Sequence, residues 1–376
     1  MTAYTEELLS TPEFRLRRNG RFLMVELLEP HRVLSTSMRN GGQTEHLRFL
    51  LNHQSCEGAD HHERHTVMME NGLAGYHDQI CTDLQLDPDL VASMGTAANM
   101  NYAAVVQSSD GPLAATAIVT GGVQGNAACA GDPASWRESE RGWEKVAVWK
   151  GTINTLLLVN HSLTEAALAR AVVTMTEAKS AALQRLAIRS RYSKDFATGT
   201  GTDQYCLAAP LAKGKPLTNT SPHVKLGELM GTAVRDATLE ALRWQNGLEP
   251  STTRFLFHAL GPYGLVQETF LADMAPHLGE RELDLLKKNF NSVVYEPRVA
   301  AAAFAVATLL DRIRCGTLPP SASRDVFRQY VTTLATSVAA KPDAWPDYYA
   351  RLDGDPENPV PALLSAIALG WSEKWH

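Results

Sequence analysis

The segment ATGTGTDQ at residues 197–204 constrains the fold of this chain more than any other stretch. Its three threonines, two glycines and one aspartate supply hydroxyl, amide and carboxylate groups and little core packing. A long helical pattern at residues 163–186 precedes it, and an apolar run at residues 204–209, a predicted buried strand, follows it. Glycine-rich phosphate loops have the opposite order, with the strand first and the helix after the loop. The sequence therefore excludes a Rossmann or P-loop reading here and predicts a polar binding surface.

Composition predicts a globular chain that forms one large domain or two smaller ones. Of the 376 residues, 44% are hydrophobic and 20% are charged. The net charge of −6, without a lysine- or arginine-rich block, favours neither nucleic acid nor a membrane as a partner. The longest apolar stretch, residues 299–310, is too short to span a bilayer, and no secretory signal pattern opens the sequence. A cytoplasmic protein is expected, and the oligomeric state, a homo-oligomer included, stays open.

The cysteine pattern predicts reduced thiols. The five cysteines are scattered and odd in number, and no two form a CxxC pair. This usage argues against a disulfide framework and against a cysteine zinc site.

The hydrophobic pattern predicts an α/β (α+β) fold, in which a layered domain of mixed β-sheets is flanked by helices and followed by a mainly helical C-terminal extension. Strands are predicted at residues 22–27, 102–106, 114–120 and 152–159, and a helix is predicted at residues 44–51. The quartet Ser162-Leu163-Thr164-Glu165 has the pattern of a capping box, which predicts Ser162 as the N-cap of the next helix. The predicted division is an N-terminal strand region (1–30), a central domain (31–245) and the extension (246–376).

Glycine, asparagine and threonine are concentrated at the predicted strand ends. Loops that converge from strand ends commonly build a site, although each of these alone is equally compatible with a turn. Their joint occurrence predicts a pocket rich in amides and hydroxyls, formed by residues 39–42, 120–128, 131–132, 151–154 and 197–204.

Hydrolysis in such a pocket would need a base and hydrogen-bond donors. The sequence has no GxSxG elbow and no HExxH helix, so the common hydrolase motifs are missing. Hydroxyl donors are available at Thr198, Thr200 and Thr202. Carboxylates that can act as a base or orient water are available at Asp203, Asp132 and Glu177.

A histidine-rich segment raises a metal hypothesis. Cys56, Asp60 and Glu63 accompany His61, His62 and His65, with His77 further along, and His61 and His65 lie one turn apart on a helix. Imidazoles suit zinc or iron, so His61, His62 and His65 are the candidate ligands. A polar, histidine-rich surface helix or loop explains the same residues, and the two interpretations stay open.

Taken jointly, the polar segments resemble the adenosylcobinamide amidohydrolase family over roughly residues 31–245. The resemblance implies an enzyme of corrinoid salvage that hydrolyses the amide between aminopropanol and the corrin ring, releasing adenosylcobyric acid. It implies a corrinoid as the small-molecule partner, with cobalt present only inside that substrate. The segments that carry it are residues 40–42, 94–98, 125–133, 151–154, 176–184, 192–193, 197–203 and 223–228.

The resemblance also matches individual polar residues, although it assigns no nucleophile, and the chemical argument above divides the candidates by role. The catalytic candidates are Asp203, Glu177, Asp132 and Thr200. The substrate-binding candidates, to which the neighbouring hydroxyl of Thr202 is added, are Asn40, Thr120, Asn126, Asn154, Lys179, Thr198, Thr202, His223 and Glu228. The histidine-rich segment and the tail after residue 245 depart from the family. Hydrolysis of another amide, with a metal at the histidine-rich segment, and corrinoid binding without catalysis are therefore the alternatives.

A weaker likeness concerns the fold alone. The order of strand, capped helix, Gly-Thr loop and strand resembles the closing half of the β-aminopeptidase and ornithine acetyltransferase fold. Those proteins cut themselves before a serine or threonine. Here Asn126 is followed by Ala127, so self-cleavage at the matching place lacks its nucleophile.

Overall fold

The computed structural model describes residues 5–55, 61–134, 136–140, 142–145 and 151–375. The chain divides into two compact units, residues 1–249 and residues 250–376. The first unit contains all the strands of the described residues, and the second contains helices. The protein is therefore α+β with a helical C-terminal region.

The first sheet of the first unit has five strands. Its order is β1 (Thr5–Ser10), β2 (Phe14–Asn19), β3 (Phe22–Leu27), β6 (Phe49–Gln54) and β7 (Val91–Thr96). Neighbouring strands are antiparallel except for β6 and β7, which are parallel and are joined through helix α1 (His61–Asp83). The N-terminal strands thus belong to the same sheet as β6 and β7, and β7 forms one edge of that sheet.

The second sheet has six strands and contains the Gly-Thr segment at the start of one of them. Its order is β5 (Gly42–Thr44), β4 (His31–Ser35), β13 (Gln204–Pro210), β12 (Thr152–Val159), β9 (Leu113–Gly122) and β8 (Ala104–Asp110). Only the β12–β13 pair is parallel. A separate hairpin consists of β10 (Trp136–Ser139) and β11 (Gly142–Lys145).

The first unit is built in four layers. One face of each sheet contributes to a shared core, in which Leu50 and Met94 join Leu156. Helix α1 covers the other face of the first sheet, whereas α2 (Glu165–Arg185) and α3 (Lys225–Asn246) cover the other face of the second. Strand β12 is therefore buried on both sides, and alternate residues of it enter the two cores.

Two local predictions are wrong. The predicted helix at residues 44–51 is the end of β5 and the start of β6. Because β6 is buried on both faces, its apolar run does not alternate and cannot be distinguished from a helix by periodicity. The N-cap of α2 is Thr164, whose side chain accepts from the Ala167 amide, whereas Ser162 accepts from the Lys213 amide at 2.7 Å. The predicted strands at residues 22–27, 114–120 and 152–159 are confirmed.

The second unit is a helical assembly with its own core. That core includes the fully buried rings of Phe270 and Phe327 and the nearly inaccessible ring of Trp371. None of the helices among the described residues combines the length and apolarity that a membrane crossing requires. The helices are α4 (Pro250–Thr253), α5 (Leu256–Leu260), α6 (Gln267–Met274), α7 (Glu280–Lys288), α8 (Phe290–Val294), α9 (Pro297–Arg314), α10 (Pro320–Ala339), α11 (Trp345–Arg351) and α12 (Val360–Glu373).

Candidate functional site

The carboxylate of Asp203 is the centre of the Gly-Thr segment. It accepts hydrogen bonds from the Ile153 amide at 2.9 Å, from the amide and the hydroxyl of Thr200, and from the ammonium group of Lys179. A carboxylate offers about four lone-pair sites, so these donors occupy its capacity. Asp203 therefore holds three elements together, which are β12, the loop before β13 and α2.

Gly199 leaves room for this ion pair. A Cβ atom added to Gly199 would lie 2.3 Å from Asp203 Oδ2 and 2.9 Å from Lys179 Nζ. Both separations are shorter than real Cβ contacts. The missing side chain of Gly199 is thus what allows the loop to pass over Lys179 and Asp203, whose side chains are 14% and 16% exposed.

A cavity of about 170 Å³ opens beside this pair, and we call it the Lys179 cavity. Lys179 has three N–H donors and directs one at Asp203, so it retains donors for a carbonyl oxygen. Burial raises the pKa of Tyr205, which keeps its phenol protonated. The walls are formed by Ile153, Thr155, Met175, Thr176, Lys179, Asp203, Gln204 and Tyr205.

Beneath the site, a buried amide network joins the two sheets. Asn52 on β6 donates to the Thr120 hydroxyl at 2.7 Å, and Asn154 on β12 donates to Asn52 Oδ1 at 2.9 Å. The second amide hydrogen of Asn154 goes to the Gly95 carbonyl at 3.1 Å. The side chains of Asn52, Thr120 and Asn154 are all buried, and they line neither the Lys179 cavity nor the second cavity described below. Thr120 and Asn154 therefore fix the distance between the sheets at this point.

A second network joins the predicted loops to one another. Thr202 and Asn126 both donate to the Gly151 carbonyl, and Tyr192 donates to Asn126 Oδ1 at 2.5 Å. The Thr198 hydroxyl accepts from the Ala130 amide at 2.9 Å. The loops around residues 126–130, 151 and 198–203 thus meet at the same end of the second sheet, next to Asp203.

Asp132 lies in the same loop group. It accepts from the Cys129 amide at 2.6 Å and from the Ser190 hydroxyl at 2.5 Å. Burial raises the pKa of Asp132, but the hydrogen bonds from Ser190, Ser193 and the Cys129 amide outweigh it and leave the pKa below its ordinary value. The group is therefore an anionic anchor for the loop at neutral pH.

Four predicted residues lie apart from these networks. Asn40 donates both amide hydrogens to backbone carbonyls of Pro88 and Val91, each at 2.8 Å, and so fixes the loop before β5. Glu177 is exposed on α2. His223 is exposed before α3, and Glu228 in the first turn of α3 pairs with Lys225 at 2.7 Å.

The histidine-rich segment is only partly described. Cys56 and Asp60 lie outside the described residues, and the side chains of His61, His62 and His65 at the start of α1 are also outside them. Among the side chains that the structure does describe, no group of three His, Cys, Asp or Glu residues is placed to hold a metal ion. The zinc or iron site stays a prediction.

A second cavity, of about 220 Å³, lies against α1 and β7, and we call it the Ser93 cavity. The Lys179 cavity and this one share Gln204 as a wall residue. The Gln204 side chain makes no hydrogen bond to any residue within the described ranges. The other residues that line the Ser93 cavity are Met38, Arg39, His53, Ser55, Met68, Leu73, Tyr76, His77, Ser93 and Gly95.

Ser93 and His77 form a hydrogen-bonded pair in this wall. His77 Nδ1 lies 2.7 Å from Ser93 Oγ, and Nε2 lies 3.1 Å from the Pro88 carbonyl oxygen. Burial lowers the pKa of His77. The positive charge of Arg39 also lowers this pKa, whereas the hydrogen bond to the Pro88 carbonyl and the charges of Asp78 and Asp89 raise it. His77 is accordingly neutral at neutral pH.

Sequence reasoning missed Asn52, His53 and Ser93. His53 lies between Met94 O and Tyr76 Oη, at 3.1 Å from each. Asn52 and His53 were hidden because the start of β6 was interpreted as a helix. The available signal was the polar triplet Asn52-His53-Gln54 directly after an apolar run, which is the strand-end pattern seen elsewhere in the unit.

Comparison with known proteins gives two findings. The chain is 33% identical over 183 residues to the uncharacterized protein MJ1613 of Methanocaldococcus jannaschii, a match that covers 46% of this chain and 71% of that relative. The sequence profile of the adenosylcobinamide amidohydrolase family matches residues 6–250. Because that match includes well over half of the chain and all of both cavities, the chain belongs to the adenosylcobinamide amidohydrolase family.

Proposed function

We propose that this protein hydrolyses the amide bond that joins aminopropanol to the corrin ring in adenosylcobinamide, releasing adenosylcobyric acid. The observation that carries the proposal is the family match over residues 6–250, which spans both cavities and the loops around Asp203. The presence of Lys179 and Gln204 in those walls supports it, because ammonium and amide groups are the partners that a carboxamide requires.

The sizes of the cavities suggest how such a substrate binds. Pockets for whole drug-sized ligands measure roughly 300–1,000 Å³. The cavities here measure about 170 and 220 Å³, so each suits a side arm of a ligand. We therefore propose that the corrin ring stays outside while the aminopropanol arm and a neighbouring carboxamide arm enter.

The catalytic roles of Asp203, Thr200, Asp132 and Glu177 remain predictions. The contacts of Asp203 favour a positioning role, because its oxygens are already occupied by Ile153, Thr200 and Lys179. Lys179, with donors to spare, is then the group that binds a substrate carbonyl. A cytoplasmic location and a homo-oligomer likewise remain predictions.

The test is direct incubation of the purified full chain with adenosylcobinamide. Aminopropanol and adenosylcobyric acid are followed by mass spectrometry, with and without added zinc or iron and after chelation. Release of both products is the expected result. Binding seen as a change in the corrinoid spectrum, without release under any metal condition, would instead support a corrinoid-binding protein. If the protein neither binds the corrinoid nor releases aminopropanol, the result would support another amide as the substrate.

A further inference from the structure

We propose that Ser93 is the nucleophile of the amide hydrolysis and that His77 is its general base, with the reacting bond in the Ser93 cavity. The proposal deepens the function proposed above and rests on it. A serine hydroxyl within hydrogen-bond reach of an imidazole, which a third group orients in turn, is the arrangement that activates a weak nucleophile.

The contacts of His77 fix its tautomer. A carbonyl oxygen only accepts, so the 3.1 Å contact with Pro88 requires the proton on Nε2. Nδ1 then has a free lone pair and accepts from the Ser93 hydroxyl at 2.7 Å. The Pro88 carbonyl thus takes the orienting place that a carboxylate has in a catalytic triad.

Ser93 is also held in place and accessible. Its backbone amide donates to Ser37 Oγ at 2.9 Å, and Ser37 in turn donates to the Arg39 carbonyl at 2.6 Å. The residue is partly exposed and lines the cavity, whereas His77 behind it is 3% exposed. The hydroxyl therefore faces the space that a substrate arm can enter, and the base lies behind it.

The charged groups near His77 act in opposite directions on an imidazolium that forms during the reaction. Asp78 and Asp89 lie nearby and favour the charged ring, whereas Arg39, which pairs with both, opposes it. The Cys81 sulfur lies 3.6 Å from Nε2. His77 is consequently neutral before reaction and has two carboxylates close by when it takes a proton.

A donor for the developing oxyanion is present on the same strand. The Gly95 carbonyl leaves the sheet edge to accept from Asn154, and in a parallel strand the N–H and C=O of one residue point to the same side. The Gly95 N–H therefore also points away from β6, and it has no hydrogen-bond partner within the described residues. Gly95 lies in the cavity wall two residues after Ser93.

The reaction follows in balanced steps. Ser93 Oγ attacks the amide carbonyl carbon, its proton passes to His77 Nδ1, and the Gly95 N–H donates to the resulting oxyanion. The C–N bond then breaks, the amine leaves with the proton from Nδ1, and an ester joins the acyl group to Ser93. Water attacks this ester and gives a proton to Nδ1. Ser93 Oγ departs, recovers that proton, and the carboxylic acid is released.

Two measurements on the full chain test the proposal. Ser93→Ala and His77→Gln should each lower kcat for aminopropanol release by about 100-fold or more. An alkyl fluorophosphonate should add to wild-type protein with loss of fluoride, and peptide mass mapping should place the adduct on Ser93. Ser109→Ala, on the exposed edge of β8, is the matched control and should keep both the rate and the label.

The outcomes separate this proposal from the proposed function. If wild-type protein releases aminopropanol and Ser93→Ala does so at the same rate, the nucleophile is wrong and the function stands. If wild-type protein releases none, the function fails, and a label on Ser93 then supports an activated serine for a different amide. If wild-type protein releases no aminopropanol and Ser93 is also unlabelled, both the proposed function and the assignment of Ser93 as nucleophile are overturned.

Discussion

Lys179 on α2 donates a hydrogen bond to Asp203, directly before β13, across the space that Gly199 leaves open. The pair joins a helix to a loop from the parallel strand pair of the second sheet. Four donors converge on Asp203, so hydrogen bonds within the protein already occupy its carboxylate oxygens before any substrate binds. The loop and the cavity wall are thereby set by one side chain.

Asp203→Asn should be costly, because it removes the negative charge and presents an NH₂ group to N–H and O–H donors that now point at a carboxylate oxygen. We expect the free energy of unfolding to fall by about 1–3 kcal/mol, and the rate of aminopropanol release to fall with it. Urea denaturation measures the first quantity. Asp236→Asn, which removes a partly exposed pair with Arg235, is the control and should cost no more than about 1 kcal/mol. Equal losses in the two variants would contradict the positioning role.

Gly199→Ala should separate the ion pair without removing either charge. The new Cβ would lie 2.3 Å from Asp203 Oδ2 and 2.9 Å from Lys179 Nζ, so the two side chains or the loop must move. We expect loss of most amide hydrolysis, measured as kcat/KM, together with a lower melting temperature. Gly231→Ala on α3 is the matched control, since the new Cβ meets only Thr174 Cγ2 of α2, at 3.9 Å. That substitution should leave activity intact and stabilise the helix by about 0.5–1 kcal/mol.

Asn154→Ala should weaken the contact between the sheets. It leaves the buried Asn52 Oδ1 and the partly buried Gly95 carbonyl without their donor. We expect a loss of about 1–3 kcal/mol in unfolding free energy. Because Asn52 belongs to the same network, Asn52→Ala and Asn154→Ala together should cost less than the sum of the two. Strict additivity in that double-mutant cycle would show that the two amides act independently.

Acid should destabilise the protein partly through His77 and His31. Burial, the largest effect, lowers the pKa of each below the usual 6.5, although Glu29 and Glu13 oppose this at His31, as Asp78 and Asp89 do at His77. A histidine with a lowered folded pKa contributes stability above pH 6.5, and this stability is lost as the pH falls through the folded value, because the unfolded chain takes up protons first.

The measurement is the urea midpoint between pH 7.5 and pH 5. His77→Gln should flatten the decline in that window relative to wild-type protein, and kcat/KM of the wild-type protein should fall as His77 gains its proton. A midpoint whose pH dependence is unchanged in both His77→Gln and His31→Gln would contradict this account.

The predicted order of helix, Gly-Thr loop and strand was within reach of the sequence, because apolar spacing and glycine placement are local signals. The N-cap of α2 could not be predicted, because Ser162 and Thr164 both suit that position. Thr164 takes it because Ser162 accepts a hydrogen bond from the distant Lys213 amide instead. The pairing of Ser93 with His77 depends on α1 packing against β7. No local pattern encodes that contact, so neither residue was singled out as catalytic.

Gln204 borders both cavities, and its carboxamide has a donor end and an acceptor end. When a ligand in one cavity accepts a hydrogen bond from the NH₂ end of Gln204, the carbonyl oxygen is the end that remains for a ligand in the other cavity. A ligand in one cavity therefore determines which end of the Gln204 amide is available in the other cavity.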